Sequence, residues 1–327
     1  MNHRVVVHPS GRSFEVPEGE TVLEAAVRQG INLPYGCRNG ACGSCKGKVL
    51  QGQVVLGPHQ EKALSAGEAS AGMALFCCAK PVTDLEIECR EVNGLADFPA
   101  KKMPVRVASI ERPADDVAII RLQLPAAERP QYRAGQYLEI LMRDGSRRAY
   151  SMAVAPHLAD QIELHVRHLP GGKFTDPLFG KTEPAMKERD ILRIEMPLGT
   201  FFLREDSDKP AILLASGTGY APIKAIIEHA IAANLTRPMR LYWGARARKD
   251  LYAHEGAEQL VRDAQAAGLD LQYVPVLSEP QPADDWTGRT GFVHLAVLHD
   301  HPDLSAWQVY ACGVPVMVDS ARRDFVA

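Results

Sequence analysis

Four cysteines carry the chemistry that is most legible in this chain. Cys37, Cys42 and Cys45 lie in Tyr35-Gly36-Cys37-Arg38-Asn39-Gly40-Ala41-Cys42-Gly43-Ser44-Cys45, a C-x4-C-x2-C run, and Cys77 follows after a long gap in Leu75-Phe76-Cys77. That spacing is the one that holds a [2Fe–2S] cluster through four thiolates. Each iron needs two thiolates, so four cysteines must converge on a small object, and three can come from one loop if the loop curls tightly. Gly36, Gly40 and Gly43 interleave with the cysteines, and glycine permits both the unusual backbone conformations and the close main-chain approach that such a loop needs. Backbone N–H groups can then point at the sulfurs and help set the potential. A zinc site is the competing reading; such sites usually pair cysteines as C-x2-C twice, and here there is one such pair. Cys78 stands beside Cys77 as a near competitor for the fourth position, but its simpler reading, like that of Cys89, is a small buried hydrophobe. A cluster of this kind passes one electron at a time, so the chain is expected to be an electron carrier or to contain one.

Two further constellations carry chemistry. Arg147-Arg148-Ala149-Tyr150-Ser151 holds an R-x-Y-S sequence, and Gly171-Gly172-Lys173-Phe174-Thr175 follows it. Arg148 suits a phosphate, since a planar guanidinium matches phosphate oxygens; Tyr150 can lie against an aromatic ring, and Ser151 can hydrogen-bond one. Gly171 and Gly172 would offer backbone N–H groups to a pyrophosphate. Either stretch alone also fits an ordinary strand edge or turn. Both occur, in this order, in the flavin domain of the ferredoxin–NAD(P)+ reductase family, which the chain resembles here. Leu213-Leu214-Ala215-Ser216-Gly217-Thr218-Gly219-Tyr220-Ala221-Pro222 then joins a strand to a helix. Gly217 and Gly219 let the chain turn tightly, Pro222 suits a first helical turn, and the helix N-terminus would face a dinucleotide pyrophosphate. The full G-x-G-x-x-G fingerprint is absent, which argues against a plain dinucleotide dehydrogenase. The stretch resembles the G-T-G-x-A-P nicotinamide motif of the same family, and Tyr310-Ala311-Cys312-Gly313-Val314-Pro315 resembles its C-G-x-P motif.

The elements that must position these residues fall into three segments. Residues 1–93 hold two short strands around Pro9-Ser10-Gly11, a helix opened by the capping box Thr21-Val22-Leu23-Glu24 and stopped at Gly30, a hairpin of 46–50 with 53–56 around Gln51-Gly52, and an alternating strand over 84–89. Residues 94–103, with Gly94, Pro99 and Lys101-Lys102, have no periodicity and read as a linker. Residues 104–206 are strand-rich, with strands at 105–110, 117–124, 137–142, 162–167 and 191–195, the pattern of a small antiparallel barrel. From 207 to 327 strands alternate with helices, which reads as a doubly wound α/β domain.

The 327 residues are too many for one ordinary domain, and a net charge of -3 gives no pull toward nucleic acid or an anionic membrane. No apolar run approaches the ~20 residues of a membrane span, and the apolar core at the start is too short for a signal peptide. Seven cysteines, an odd number, do not read as a disulfide framework. A reducing cytoplasm is the expected setting, because the thiols must stay free for iron.

Taken whole, the chain resembles the iron–sulfur flavoprotein reductases in the order ferredoxin domain, flavin barrel, nicotinamide domain. Through Tyr35-Gly36-Cys37-Arg38-Asn39-Gly40, Leu75-Phe76-Cys77-Cys78-Ala79-Lys80-Pro81 and Leu198-Gly199-Thr200-Phe201-Phe202 it is similar to the CDP-6-deoxy-3,4-glucoseen reductases, and in domain order to the reductase components of oxygenase systems. The resemblance implies a multidomain α+β and α/β fold: a β-grasp ferredoxin domain, an antiparallel flavin-binding barrel and a doubly wound nicotinamide domain. It implies FAD, with FMN as runner-up, at Arg148, Tyr150, Ser151, His165, Arg167, Gly171, Gly172 and Thr175. It implies a nicotinamide dinucleotide at Gly217, Thr218, Gly219, Pro222, Arg246, Cys312 and Gly313, with Ser151 and Cys312 nearest the reacting atoms. NADH is expected from the ferredoxin-first order, against the pull of Arg246 and Arg248 toward the extra phosphate of NADPH. The partner implied is an electron-accepting protein, an oxygenase component or a deoxysugar dehydratase. A free flavin reductase with a dispensable ferredoxin domain and a redox sensor or relay are the alternatives. The family usually continues past the C-G-x-P motif with a short acidic and aromatic stretch, whereas this chain stops at Asp324-Phe325-Val326-Ala327, so a shortened C-terminal end is expected.

Overall fold

The structure is a computed structural model that describes residues 2–92, 98–158 and 160–326. The chain divides into two compact units, Met1–Pro99 with Leu198–Thr200, and Ala100–Pro197 with Phe201–Ala327. Residues 94–97 of the expected linker lie outside the described residues.

In the first unit, β1 (His3–His8) pairs antiparallel with β2 (Ser13–Val16) and parallel with β7 (Leu85–Glu88). The sheet continues through β3 (Lys46–Gln51) to β5 (Met73–Leu75), in the order β2-β1-β7-β3-β5. Val5, Val7, Leu85 and Ile87 alternate inward, and α1 (Val22–Arg28) covers them with Val22, Leu23, Ala25 and Ala26. The Thr21 capping box is present: Glu24 N–H donates to Thr21 Oγ1 at 3.2 Å and Thr21 N–H donates to Glu24 Oε2 at 3.0 Å. This is a β-grasp sheet over one main helix. The expected hairpin is corrected. Strand β4 (Val54–Leu56) pairs with β6 (Ala79–Pro81), not with β3. Both edges of β3 are taken by β5 and β7. Between β3 and β4 the chain turns at Gly52, where a Cβ would lie 2.1 Å from the Asp84 carbonyl oxygen. A further short helix, α2 (Ala66–Ser70), is opened by a second capping box, Ser65 with Glu68.

The second unit begins with an antiparallel sheet: β8 (Lys101–Ala114), β9 (Val117–Gln123), β10 (Tyr137–Leu141), β11 (Arg147–Ser151), β12 (Gln161–Arg167) and β13 (Ile191–Leu198), ordered β11-β10-β13-β8-β9-β12. The edge strands meet at a bridge between Met152 and Leu164, so the sheet curls into a barrel around Val105, Val107, Ile120, Leu138, Ile140, Leu164 and Ile194. The 101–103 stretch read as linker is the start of β8. Its residues carry no apolar alternation, but Lys101, Lys102 and Met103 find ladder partners in Met196, Glu195 and Ile194. The short helix α3 (Thr175–Leu178) follows the Gly171-Gly172 turn.

The same unit ends in a five-stranded parallel sheet ordered β17-β16-β15-β14-β18: β14 (Ala211–Ser216), β15 (Met239–Ala245), β16 (Leu271–Leu277), β17 (Arg289–Thr290) and β18 (Gln308–Cys312). Helices α4 (Tyr220–Ala232) and α5 (His254–Ala266) pack on one face with Ala211, Leu213 and Ala215; α6 (Val293–Asp300) and α7 (Pro315–Asp324) pack on the other with Ile212 and Leu214. Burial on both faces is why β14 reads as a continuous apolar run. Among the described residues, no helix is long and apolar enough to cross a membrane.

Candidate functional site

The cysteine loop leaves α1 through Gly30 and is anchored by buried Leu33 and Tyr35. Cys45 precedes β3, and Cys77 follows β5. Main-chain donors aim at the sulfurs: Cys37 N–H at Cys42 Sγ and the Ala41 and Cys42 N–H groups at Cys37 Sγ, all at 3.3 Å. Gly40 is glycine for two reasons: φ is +74°, and a Cβ would meet His59 at 2.8 Å and Cys78 Sγ at 2.9 Å. Among the described residues no three metal-ligating side chains gather for a single ion. The four thiols come instead as two proton-sharing pairs, Cys37 with Cys42 and Cys45 with Cys77. The hydrogen bond within each pair holds Cys42 down to about 5 and Cys77 to about 6 and pushes Cys37 and Cys45 up. Two irons with two thiolates each fit that arrangement. Cys78 Sγ lies 3.6 Å from Cys77 Sγ and donates to the Pro58 carbonyl at 3.4 Å, and burial pushes it up to about 12. Cys37 and Cys42 are only half-buried, and Asn39 and Ser44 beside them are exposed.

On the barrel, β11 pairs with β10 so that Arg148 faces Ile140 and Tyr150 faces Leu138 across the ladder. Arg148 and Tyr150 share one side of the strand by its two-residue period. The Tyr150 ring lies 5.2 Å from that of Phe174, which ties the R-x-Y-S strand to the glycine turn, and burial pushes its hydroxyl up to about 12. The glycine turn departs from expectation. Gly171 N–H donates to Asp176 Oδ2 at 3.1 Å, and Gly172 N–H to the Leu169 carbonyl at 2.9 Å. The Thr175 hydroxyl donates to the same carbonyl at 2.8 Å. The turn closes on itself, so these glycine donors are spent within it. A cleft of about 1270 Å³ adjoins the turn through Lys173 and Phe174, but none of the R-x-Y-S residues lines it.

Next to it on the barrel, β12 presents His165 and Arg167. His165 is buried with both ring nitrogens engaged, Nε2 by Glu163 Oε1 at 3.1 Å and Nδ1 by the Tyr252 hydroxyl at 2.7 Å. Arg167 behaves differently. Its Nε and Nη2 are buried without a hydrogen bond to any described residue, although Asp116 Oδ2 stands 3.5 Å from Nε. The guanidinium faces Gly217, whose absent Cβ would lie 3.6 Å from Arg167 Cζ. A half-buried cation with two enclosed, open N–H donors beside a glycine turn fits an anionic ligand.

That turn, Gly217–Gly219, links β14 to α4. Gly217 has φ +52°, and its carbonyl accepts from Trp243 Nε1 at 3.0 Å. Trp243 stacks on Tyr220 at 4.1 Å and 11°. The C-G-x-P segment packs against the same turn: Val314 N–H donates to Ser216 Oγ at 3.0 Å. A Cβ on Gly219 would lie 2.1 Å from the Cys312 carbonyl oxygen, and one on Gly313 would lie 2.1 Å from Ser216 Oγ. Cys312 is half-buried, and desolvation pushes its thiol up to about 11, so it is neutral. Pro222 sits in the first turn of α4. Arg246 is exposed, with Nε 3.9 Å from Asp250 Oδ2, while Arg248 donates to the Asp284 carbonyl at 3.1 Å. Sequence reasoning gave no role to Ser216, Trp243 or Tyr252, which lie inside its motifs, and missed the pair Lys224 and Glu228. For the pair a signal existed, two opposite charges at i and i+4 in the Tyr220–Ala232 helix, which is apolar apart from them and His229.

Models of three protein families match the chain: the 2Fe-2S iron-sulfur cluster binding domain over residues 5–82, the oxidoreductase FAD-binding domain over 104–203 and the oxidoreductase NAD-binding domain over 213–323. The CDP-6-deoxy-L-threo-D-glycero-4-hexulose-3-dehydrase reductase of Yersinia pseudotuberculosis is 40% identical over 328 residues, covering 100% of this chain and 94% of that protein. The terephthalate 1,2-dioxygenase reductase component 1 of Comamonas is 34% identical over 98% of this chain and 92% of its own length. Among solved structures, the Amycolatopsis cytochrome P450 reductase GcoB superposes with a TM-score of 0.76 at 34% identity, over 99% of this chain and 94% of that one.

Proposed function

We propose that this chain, which belongs to the iron–sulfur flavoprotein reductases, takes its electrons from NADH and delivers them singly to one acceptor protein, an oxygenase component or a deoxysugar dehydratase, in a reducing cytoplasm. As a member of that family it moves electrons from NAD(P)H through FAD and a [2Fe–2S] cluster to a partner. The observation that carries the protein-acceptor reading is the half-exposure of Cys37 and Cys42 beside exposed Asn39 and Ser44, which puts one edge of the thiol cage within reach of a docked protein.

When bound, FAD accepts a hydride and gives up its electrons one at a time, and the cluster, with a potential near about −400 mV, passes each on. The chain's own residues do the rest. Cys37, Cys42, Cys45 and Cys77 would hold the cluster through their four thiolates. Arg148, Tyr150 and Ser151 bind the flavin from β11, with Thr175 shaping the turn beside it. The open donors of Arg167 meet an anionic part of a bound dinucleotide. Gly217, Thr218, Gly219 and Pro222 bring a helix N-terminus to the pyrophosphate, and Cys312 and Gly313 border the nicotinamide. The Cys312 thiol, pushed up by desolvation, stays neutral and adds no charge beside the nicotinamide. Asp250 beside Arg246 supports NADH, because it offsets the cation that a 2′-phosphate would need.

The test compares two acceptors in wild type and Cys42→Ser. Loss of the cluster is expected to spare ferricyanide, which draws on flavin directly, and to abolish cytochrome c reduction. Cytochrome c turnover at the wild-type rate in Cys42→Ser would show that the cluster is not the exit and would favour a free flavin reductase.

A further inference from the structure

Behind the glycine turn lies a half-buried charged network outside the residues proposed to bind cofactors, His165 apart. Lys224 Nζ, from α4, donates to the Ala153 carbonyl at 3.0 Å and to Glu228 Oε1 at 2.6 Å, and stands 3.3 Å from Glu163 Oε1 on β12. Glu228 returns across the same junction by accepting the Ala155 N–H at 2.8 Å. Glu163 also meets Arg121 at 3.1 Å and His165 at 3.1 Å, and His165 continues to Tyr252 at 2.7 Å. Lys224 has three donors and three acceptors, and Arg121 also pairs with Glu111 at the outer edge of the network.

Buried ion pairs are poor sources of stability, since desolvation consumes most of the attraction and apolar side chains of like size often serve better. What such a network does supply is geometry, because each bond has a required length and direction. Its geometry here joins two sets of elements. Ala153 and Ala155 follow directly on the R-x-Y-S strand, and Glu163 and His165 lie on β12 beside Arg167. Lys224 and Glu228 are on α4, whose first residue follows the Gly217–Gly219 turn, and Tyr252 follows the Arg246 to Asp250 stretch. The bonds of Lys224, Glu228 and Tyr252 to the barrel all run from the flavin-side strands to the nicotinamide-side elements.

We propose that Lys224, Glu228, Glu163, His165 and Tyr252 are positioning residues for hydride transfer: they set the separation of the flavin strand from the nicotinamide turn and touch neither cofactor's reacting atoms. The proposal rests on the flavin and nicotinamide assignments above. A misplacement of about 1 Å at a reacting pair costs about 100-fold in rate, so loosening this junction should slow the chemical step more than it weakens binding.

The experiment uses the FAD- and cluster-loaded protein with Lys224→Met, Lys224→Arg and Tyr252→Phe. It reads bound flavin, melting temperature, NAD+ affinity by titration of the oxidised protein, and the rate constant of flavin reduction by NADH and by 4-deuterated NADH. Lys224→Met and Tyr252→Phe should each slow flavin reduction at least about tenfold. NAD+ affinity should stay within about twofold and the deuterium effect should be fully expressed; Lys224→Arg should recover part of the rate. A lowered melting temperature with an unchanged rate per bound flavin would make the network merely structural and overturn the proposal. Absence of flavin reduction in the wild type would overturn the underlying reading as well, and the two failures are told apart by that arm.

Discussion

Replacing Gly219 by alanine tests the geometry of the nicotinamide turn at its tightest point. The added methyl carbon would lie 2.1 Å from the Cys312 carbonyl oxygen, 2.4 Å from its carbonyl carbon and 2.6 Å from Gly313 Cα. Comfortable contact between such atoms begins near about 3.5 Å, so the two strands of backbone must part by about 1 Å or more. None of the three obstructing atoms is a side chain that could swing aside. Gly219 has φ −61°, a conformation alanine adopts freely, so the penalty is steric alone. Overpacking of this kind costs about 1–3 kcal/mol of stability. The larger consequence is at the reaction, since a shift of about 1 Å in Cys312 and Gly313 predicts about 100-fold slower hydride transfer, or about 3 kcal/mol on the barrier. Gly217→Ala is the matched control. Space exists there, with Arg167 Cζ at 3.6 Å, but φ is +52°, so the cost is about 1–2 kcal/mol of backbone strain with a smaller loss of rate. Stopped-flow reduction of bound FAD by NADH, with thermal melts alongside, separates the two. Flavin reduction at the wild-type rate in a folded, flavin-bound Gly219→Ala protein would refute the claim that the Cys312–Gly313 backbone positions the nicotinamide.

Three other outcomes are expected. Cys77→Ser should lose the reduced-cluster EPR signal and half or more of its iron, and Cys78→Ser should keep both; the reverse pattern would move the fourth ligand to Cys78. Arg246→Ala should leave kcat/KM for NADH within about threefold and lower any NADPH activity, as expected for an exposed rim charge, whereas a clear wild-type preference for NADPH that collapses in this variant would show the ribose site misread. For Glu163, burial pushes the carboxyl up, but the hydrogen bond with His165 and the charges of Lys224 and Arg121 outweigh it and hold the group at about 2, below its ordinary 4.5. A depressed folded-state value stabilises the protein above the unfolded value, and the contribution drains away as pH falls from about 4.5 to about 2, up to about 3 kcal/mol in all. Melting temperature against pH should therefore fall less steeply over that range in Glu163→Gln, and curves of equal slope would refute the pairing.

The parts of this site that can be read from sequence are those whose geometry is written locally. Three cysteines and their glycines sit within one short loop, and the Gly217-to-Pro222 turn carries its own strand, turn and helix signals. Thr21 and Glu24 spell a capping box without help from elsewhere. The Ser65 and Glu68 box is as local but sits ahead of a five-residue helix with no buried face, so no apolar period announces it. What was illegible is non-local. Nothing in 46–56 reveals that β3 has both edges occupied, or that Gly52 must pass within 2.1 Å of the Asp84 carbonyl. The glycines at 171 and 172 look like open donors until Asp176 and Leu169 close the turn around them.

The cysteines make the same point chemically. Cys42 and Cys312 are both half-buried thiols next to a glycine, and residue type and burial alone do not tell them apart. Cys42 accepts a hydrogen bond from a second thiol and from main-chain N–H groups, which hold it well below the ordinary thiol value and favour the metal-binding thiolate form. For Cys312 desolvation is the whole cause of its shift, and the thiol stays neutral near about 11. Exchange of roles therefore demands a change of surroundings and not of residue. An added thiol two or three residues from Cys312 would not create a metal site there unless main-chain donors turned inward as well, because an electropositive cage is what lowers the cost of holding four thiolates together.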